Sequence, residues 1–319
     1  MDQETYGYVC PRCGASLEIT PETMVIVCDY CGYPSSITGI MDPKEVYVVE
    51  SVPRKLVEDA FWRVVERDFD LRRLKKDIVI REVEGIYVPI WVSRVKLSGE
   101  VSYYFYQYEG KKRRKVYRVI KVDSWRLVSL VARRQARRLG VSEAVASLSE
   151  ELLKEKARKL IELSPDEWQK VKLQILNTEY DAKTAEERLK EDALDMLREE
   201  FKAEGEIDGF QVSVEHLEKP KLFLIPVWNV YYSYKESVYS AFFSGWGPHL
   251  LLKTEPVTGI RRGLYLASAW LSILVSSLLA YIVFLGEKID VRLLILPLLG
   301  VGGAYTFSKL SLRDVRLER

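Results

Sequence analysis

Leu264 to Leu285 (LYLASAWLSILVSSLLAYIVFL) is 22 residues long and carries no charged side chain. As a helix rising about 1.5 Å per residue it reaches roughly 33 Å, enough to cross a hydrocarbon core of about 30 Å. A polar connector, Glu287-Lys288-Ile289-Asp290, leads to a second apolar run of 15 residues from Leu293 to Phe307. Arg292 and Lys309 flank that run and can snorkel to the two interfaces, which lengthens its usable span. The connector is short enough to force a helical hairpin, so the pattern predicts a C-terminal two-helix transmembrane hairpin over 262–310. Pro297 and the glycines 300, 302 and 303 suit a helix packed inside a membrane. Two buried helices of a soluble protein are the alternative.

Arg261 and Arg262 precede the first run, and Lys309, Arg313, Arg316 and Arg319 follow the second, while the connector is nearly neutral. By the positive-inside rule both termini are expected in the cytoplasm of a two-pass protein of the cell membrane, with 311–319 a basic cytoplasmic tail. Met1 to Val9 is short, polar and acidic and does not read as a signal peptide.

The first forty residues hold Cys10-Pro-Arg-Cys13-Gly14 and Cys28-Asp-Tyr-Cys31-Gly32, two CxxC pairs 14 residues apart. Two thiolates from one tight turn reach the same metal, and glycine after the second cysteine allows the positive φ of the turn. A second such turn completes a tetrahedron, so 1–40 is expected to be a zinc ribbon with Cys10, Cys13, Cys28 and Cys31 holding one structural Zn²⁺. Iron in a rubredoxin-like site is the other metal this donor set accepts. A disulfide pair is disfavoured in a domain kept in the cytoplasm.

Between ribbon and anchor the periodicity alternates between helix and strand. Leu56, Val57, Ala60, Phe61, Val64 and Val65 recur at helical spacing. Ile78 to Val83 and Gly85 to Val95 read as strands, Ser98-Gly99 as a hairpin turn, Val101 to Tyr108 as the return strand, and Glu109-Gly110 as a further turn before Val116 to Val122. Trp125 to Leu139 is expected to be helical, ended by Gly140, with a second helix from Ser142 to about Leu163. Ser164-Pro165-Asp166-Glu167 carries a capping-box pattern, and Thr184-Ala-Glu-Glu187 is read as the cap of the next helix. The pattern then returns: Leu222 to Tyr232 contains Pro226 and Trp228, a turn falls at Lys235-Glu236, and Ser237 to Phe243 returns. Placing Pro89 and Trp91 on Pro226 and Trp228 also places Val101 on Val238 and Phe105 on Phe242. These matches predict an internal duplication. The overall expectation is an α+β protein in which α+β repeats over 53–124 and 181–258, each a helix on an antiparallel sheet, flank a charged helical insertion over 125–180.

Charge is uneven. Lys111 to Arg138 carries twelve basic residues and one acid, whereas Glu143 to Glu218 carries 21 acids against 11 bases. Lys111, Lys112, Arg113, Arg114, Lys115, Arg133, Arg134, Arg137 and Arg138 are candidate contacts for anionic lipid or nucleic acid; packing of the basic block against the acidic one is the plainer reading. Asn and Gln together number eight while 29% of residues are charged, a composition that suits a heat-adapted source. His216 and His249 are the only histidines. Neither has metal or triad spacing, and no phosphate-binding glycine loop or nucleophile-elbow motif is present, so the sequence does not read as an enzyme.

The cysteine knuckles, the Gly85-x-Tyr87-x-Pro89-x-Trp91 strand, the Pro226-Val-Trp228 strand with its tyrosine-rich sequel from Tyr231 to Tyr239, and the apolar end resemble a family of membrane-anchored TFIIB-type zinc-ribbon proteins, often labelled primosomal-helicase-like. The resemblance covers most of the chain. It departs from the family pattern in the long, charged segment Arg126 to Leu163 and in Ser244-Gly245-Trp246-Gly247-Pro248, where the family has N-G-x-T-G. It implies a non-enzymatic adaptor or scaffold that recruits a cytoplasmic protein partner of the phage-shock or flotillin-like membrane-stress type. A membrane-attached nucleic-acid-binding protein is the alternative that the ribbon and basic block leave open.

Overall fold

The computed structural model describes residues 6–20, 23–37, 42–109, 112–133, 140–285, 295–312 and 315–318. It is a mixed α/β protein that divides into two compact units, each assembled from separated stretches of chain. The first comprises Met1–Arg54, Glu84–Trp228 and Phe243–His249; the second comprises Lys55–Val83, Asn229–Phe242 and Leu250–Arg319.

In the first unit, strands β1 (Tyr6–Val9) and β2 (Ser16–Ile19) form one antiparallel hairpin, and β3 (Val25–Val27) and β4 (Pro34–Ser36) form another. β5 (Val46–Val49) lies parallel to Leu222–Leu224 at the start of β11 (Lys221–Tyr234). The centre of this unit is β6 (Ile78–Glu109), whose C-terminal half pairs antiparallel with β7 (Lys112–Val131) on one side and β10 (Glu206–Leu217) on the other. Helix α6 (Ala182–Glu204) buries Ala185, Leu189, Ala193, Leu197 and Phe201, a stripe at i, i+4 spacing, in the cluster that holds Trp91, Val95, Leu97, Val101 and Tyr103.

Several expectations are corrected here. No turn falls at Ser98–Gly99, because β6 runs unbroken for 32 residues. Gly99 faces Val122 on one side and Val212 on the other, and a β-carbon there would lie 2.1 Å from the Gln211 carbonyl oxygen. That glycine serves a close approach of strands, not a reversal. The expected helix over Trp125–Leu139 is a strand as far as Val131, drawn into the sheet by its register with Ile90–Lys96; 134–139 lie outside the described residues. The single helix expected from Ser142 to Leu163 is broken into α3 (Val141–Ala146), α4 (Glu150–Lys156), a short strand β8 (Ala157–Lys159) and a 3-10 turn. α6 is capped by Asp181, whose carboxylate accepts from the Thr184 amide at 2.9 Å, so Thr184 lies inside the helix. The capping box at Ser164 and Glu167 does open α5 (Pro165–Val171) as expected, and the short β9 (Gln174–Ile175) follows it, parallel to Ile86 and Tyr87 of β6.

The match of Val101 with Val238 also fails in register, because Val101 stays on the same strand as Trp91. Another correspondence replaces it. The Ala132 amide donates to Pro89 O at 2.9 Å, and the Gly245 amide donates to Pro226 O at 2.9 Å. Each proline carbonyl thus closes the base of a hairpin, β6–β7 in one case and β11–β12 (Ser237–Ser244) in the other. From Pro89 the first arm runs 20 positions to Glu109; from Pro226 the second runs 8 to Tyr234, so the first is 12 positions longer.

In the second unit, α1 (Arg54–Arg67) buries Val57, Ala60, Phe61 and Val65, the short α2 (Leu71–Leu74) follows it, and Phe61 meets Tyr232 with ring centres 5.1 Å apart. β12, β13 (Leu250–Pro256) and β14 (Val315–Glu318) are successive neighbours, so the expected basic tail ends in a strand paired antiparallel with β13. Between β13 and β14 lie α7 (Gly259–Leu285) and α8 (Ile295–Ser311). The two helices pack closely: the Ser276 hydroxyl donates to Pro297 O at 2.6 Å, and a β-carbon on Gly300 would lie 2.8 Å from Ser276 Cβ. α7 is long and apolar enough to cross a membrane.

Candidate metal centre

Each cysteine pair sits in the turn of its own hairpin, after Val9 in one and after Val27 in the other. The turns close alike. The Gly14 amide donates to Cys10 O and the Gly32 amide to Cys28 O, both at 2.9 Å, with φ of 74° and 68° at the two glycines. These are left-handed conformations that glycine adopts without strain.

The four sulfurs converge. Cys10 and Cys31 Sγ are 3.7 Å apart, Cys13 and Cys28 Sγ 3.6 Å, and all four lie within 4.8 Å of one another. A disulfide needs about 2.05 Å, and the four cysteines are free thiols. Four sulfurs each about 2.3 Å from a common tetrahedral zinc stand about 3.8 Å apart, so the donor set fits such an ion as it is placed. Cys10, Cys28 and Cys31 are buried and Cys13 is exposed.

The thiols are unequal. Burial opposes the Cys10 thiolate, but the Cys13 and Arg12 amides and the neighbouring thiols outweigh it and bring the group down to about 7. Burial pushes the Cys31 thiol up to about 12, and the crowding of Cys13, Cys10 and Cys28 adds to that. Burial also raises Cys28. Four thiols at this spacing cannot all ionise without a cation among them, which is the condition a bound metal relieves.

The second knuckle is held by residues that the cysteine spacing does not reveal. Gln169 Nε2 donates to the carbonyls of Asp29 and Tyr30 at 2.9 and 2.8 Å, and Lys172 Nζ donates to Asp29 O at 3.2 Å. A β-carbon on Gly32 would meet the fully buried Trp168 at 2.7 Å. The only sequence signal for this clamp is the capping box of α5, which fixes the helix that presents Trp168 and Gln169. On the other knuckle Pro11, Arg12 and Cys13 are exposed.

Comparison with family models, with curated proteins and with solved structures returns no match.

A second group of close carboxylates, Asp68, Glu255 and Glu318, lies in the other unit. Its centre is taken by Lys253, which pairs with Asp68, stands 2.8 Å from Glu255 and 3.0 Å from Glu318, and is itself buried. The ammonium is the cation of that cluster.

The basic residues divide. Arg126 pairs with Glu200 at 2.8 Å and Arg133 with Glu179 at 3.0 Å, which is the packing of basic on acidic segment. Lys112, Arg113, Arg114 and Lys115 lie together at the start of β7 and form no ion pair among the described residues. Lys111, Arg134, Arg137 and Arg138 lie outside the described residues.

Proposed function

We propose that the chain is a membrane-tethered zinc-ribbon scaffold. In this reading α7 and α8 form a two-pass hairpin with both termini cytoplasmic, and the ribbon and sheet offer binding surfaces on that side. The observation that carries it is the joining, in one chain, of a four-thiol cluster with a long apolar helix whose side chains stand exposed. Trp270, Leu271, Leu274, Leu278, Tyr281 and Ile282 are all more than half exposed, an apolar surface that water does not tolerate at this extent and a bilayer does. Four thiols fill the coordination sphere of zinc, so the ion is structural and has no open place for a substrate. The two proline-closed hairpins support descent from a duplicated unit. The resemblance to membrane-anchored zinc-ribbon proteins suggests a phage-shock or flotillin-like partner.

Carbonate-washed membranes test the tether: the full chain should stay in the pellet, with epitopes at both ends protected in inside-in vesicles and exposed in inverted ones. Release by carbonate would overturn the anchor. Elemental analysis tests the centre. One zinc per chain is expected, and none in the Cys10→Ser, Cys28→Ser double variant; retention of one metal per chain by that variant would displace the site.

A further inference from the structure

The extension of the first hairpin beyond the length of the second carries a surface of its own. In the β6–β7 register Tyr104 faces Tyr117, Tyr106 faces Lys115 and Tyr108 faces Arg113. Directly opposed residues share a sheet face, so these six side chains form one patch. The alternate residues turn the other way: Tyr103 is 1% exposed and meets Phe201 of α6 at 5.6 Å between ring centres. The patch therefore lies on the face away from α6. Tyr108 and Tyr117 are 69% and 59% exposed. Arg113 lies over the Tyr106 ring, 3.4 Å from its centre, and Lys115 over Tyr104 at 4.0 Å. The Tyr104 hydroxyl donates to Glu206, which bounds the patch on the β10 side.

We infer that this face is a stacking platform for single-stranded nucleic acid. Alternate positions of the strand repeat about every 6.8 Å, so the Arg113 plane over Tyr106 and the ring of Tyr108 are spaced for successive bases of an extended chain. The exposed rings of Tyr108 and Tyr117 offer faces for bases, the Arg113 guanidinium lying over Tyr106 offers a further stacking plane, and Lys115 over Tyr104 is placed for a phosphate. Stacked, paired bases of a duplex cannot reach the rings, so selectivity for single strands follows. A membrane surface is a poorer fit. Interfacial faces present a continuous apolar surface, whereas this one continues into Ser102 and Glu100 and is bounded by Glu206. The inference rests on reading the chain as a binding scaffold, but not on its anchor.

The test uses the full chain in detergent micelles, so a failure of the membrane assignment leaves it intact. A fluorescein-labelled 20-nucleotide oligouridine and a duplex of equal length are titrated by anisotropy over a range of salt. The single strand should bind and the duplex more weakly. The Tyr108→Ala, Tyr117→Ala variant should lose about tenfold or more in affinity with an unchanged salt slope. Tyr108→Phe, Tyr117→Phe should bind as the parent does, which separates stacking from misfolding. Lys115→Ala should lower the slope of log affinity against log salt by about 0.7, the share of one phosphate on a single strand. Absence of oligouridine binding, equal binding of duplex, or ring variants within twofold of the parent would each overturn the platform. So would retention on phosphatidylglycerol vesicles that the alanine ring variant abolishes, with no binding of oligouridine, which would give the face to lipid headgroups instead.

Discussion

The two proline-closed hairpins start alike and end differently. Trp91 and Trp228 each follow their proline by two residues, and both are buried, 0% and 6% exposed. The Trp91 indole donates to the Tyr180 carbonyl at 3.0 Å and the Trp228 indole to the Ser51 hydroxyl at 2.9 Å. Beyond this base the second hairpin turns at once, through Lys235 at φ 54°. The first continues into the arm that bears tyrosines and cations. The base of such a hairpin is constrained on both faces, whereas an arm with one open face can change its outward residues without disturbing the core. The exposed tyrosines, and the cations with no ion pair among the described residues, stand on the longer arm.

The strongest way to break the parallel is at the tryptophans. Trp91→Ala and Trp228→Ala should each cost about 3–5 kcal/mol. Trp91 should cost the more, because its loss strands a buried carbonyl, while the Ser51 hydroxyl can rotate to another partner. Thermal melts of the two variants decide, and a smaller loss at Trp91 would reverse the ranking. Next comes Gly99→Ala, expected to cost about 2–3 kcal/mol because the new methyl meets strand backbone that cannot move aside. A neutral result in denaturant titration would mean that the long arm is not pressed against β10. At the tip of the second hairpin, Lys235→Gly should stabilise by up to about 1 kcal/mol, since it relieves a left-handed residue; destabilisation would show that the lysine side chain contributes more than its backbone costs. Tyr108→Ser, at the exposed end of the first arm, should stay within about 0.5 kcal/mol of the parent. A larger loss would place that ring in the core rather than on a surface.

The cysteine knuckles, α1, the α5 capping box and the Lys235 turn could be read from sequence because each is a local device. Its partners lie within a few residues. Gly99 could not be read that way. A glycine in an alternating run marks either a turn or a close approach, and the strand that decides, at Gln211 and Val212, is far along the chain. Trp125 to Val131 failed for a related reason: Val128 and Val131 are three apart, which suits a helix, yet the pairing of this segment with Ile90–Lys96 determines its conformation. The cap of α6 was misplaced because Thr184 with Glu187 imitates the pattern that Asp181 supplies. At the candidate metal centre the four cysteines were legible and their support was not, since Trp168 and Gln169 on α5 and Lys172 just after it have no sequence tie to the knuckles.

β14 gives the second unit a mechanical property. The strand before α7 and the strand after α8 are the same antiparallel pair, with Lys253 opposite Glu318 and Glu255 opposite Arg316. The two apolar helices are thus a loop whose feet are clasped together by backbone bonds and by two cross-strand charge pairs, at 3.0 and 3.3 Å. A force that draws one helix away from the other is resisted by their own packing and, at their feet, by that clasp. One of its strands, β13, also carries the Thr254 carbonyl that receives the Tyr232 hydroxyl, at 2.6 Å, so tension between the helices has a route into β11 near the tip of the second hairpin.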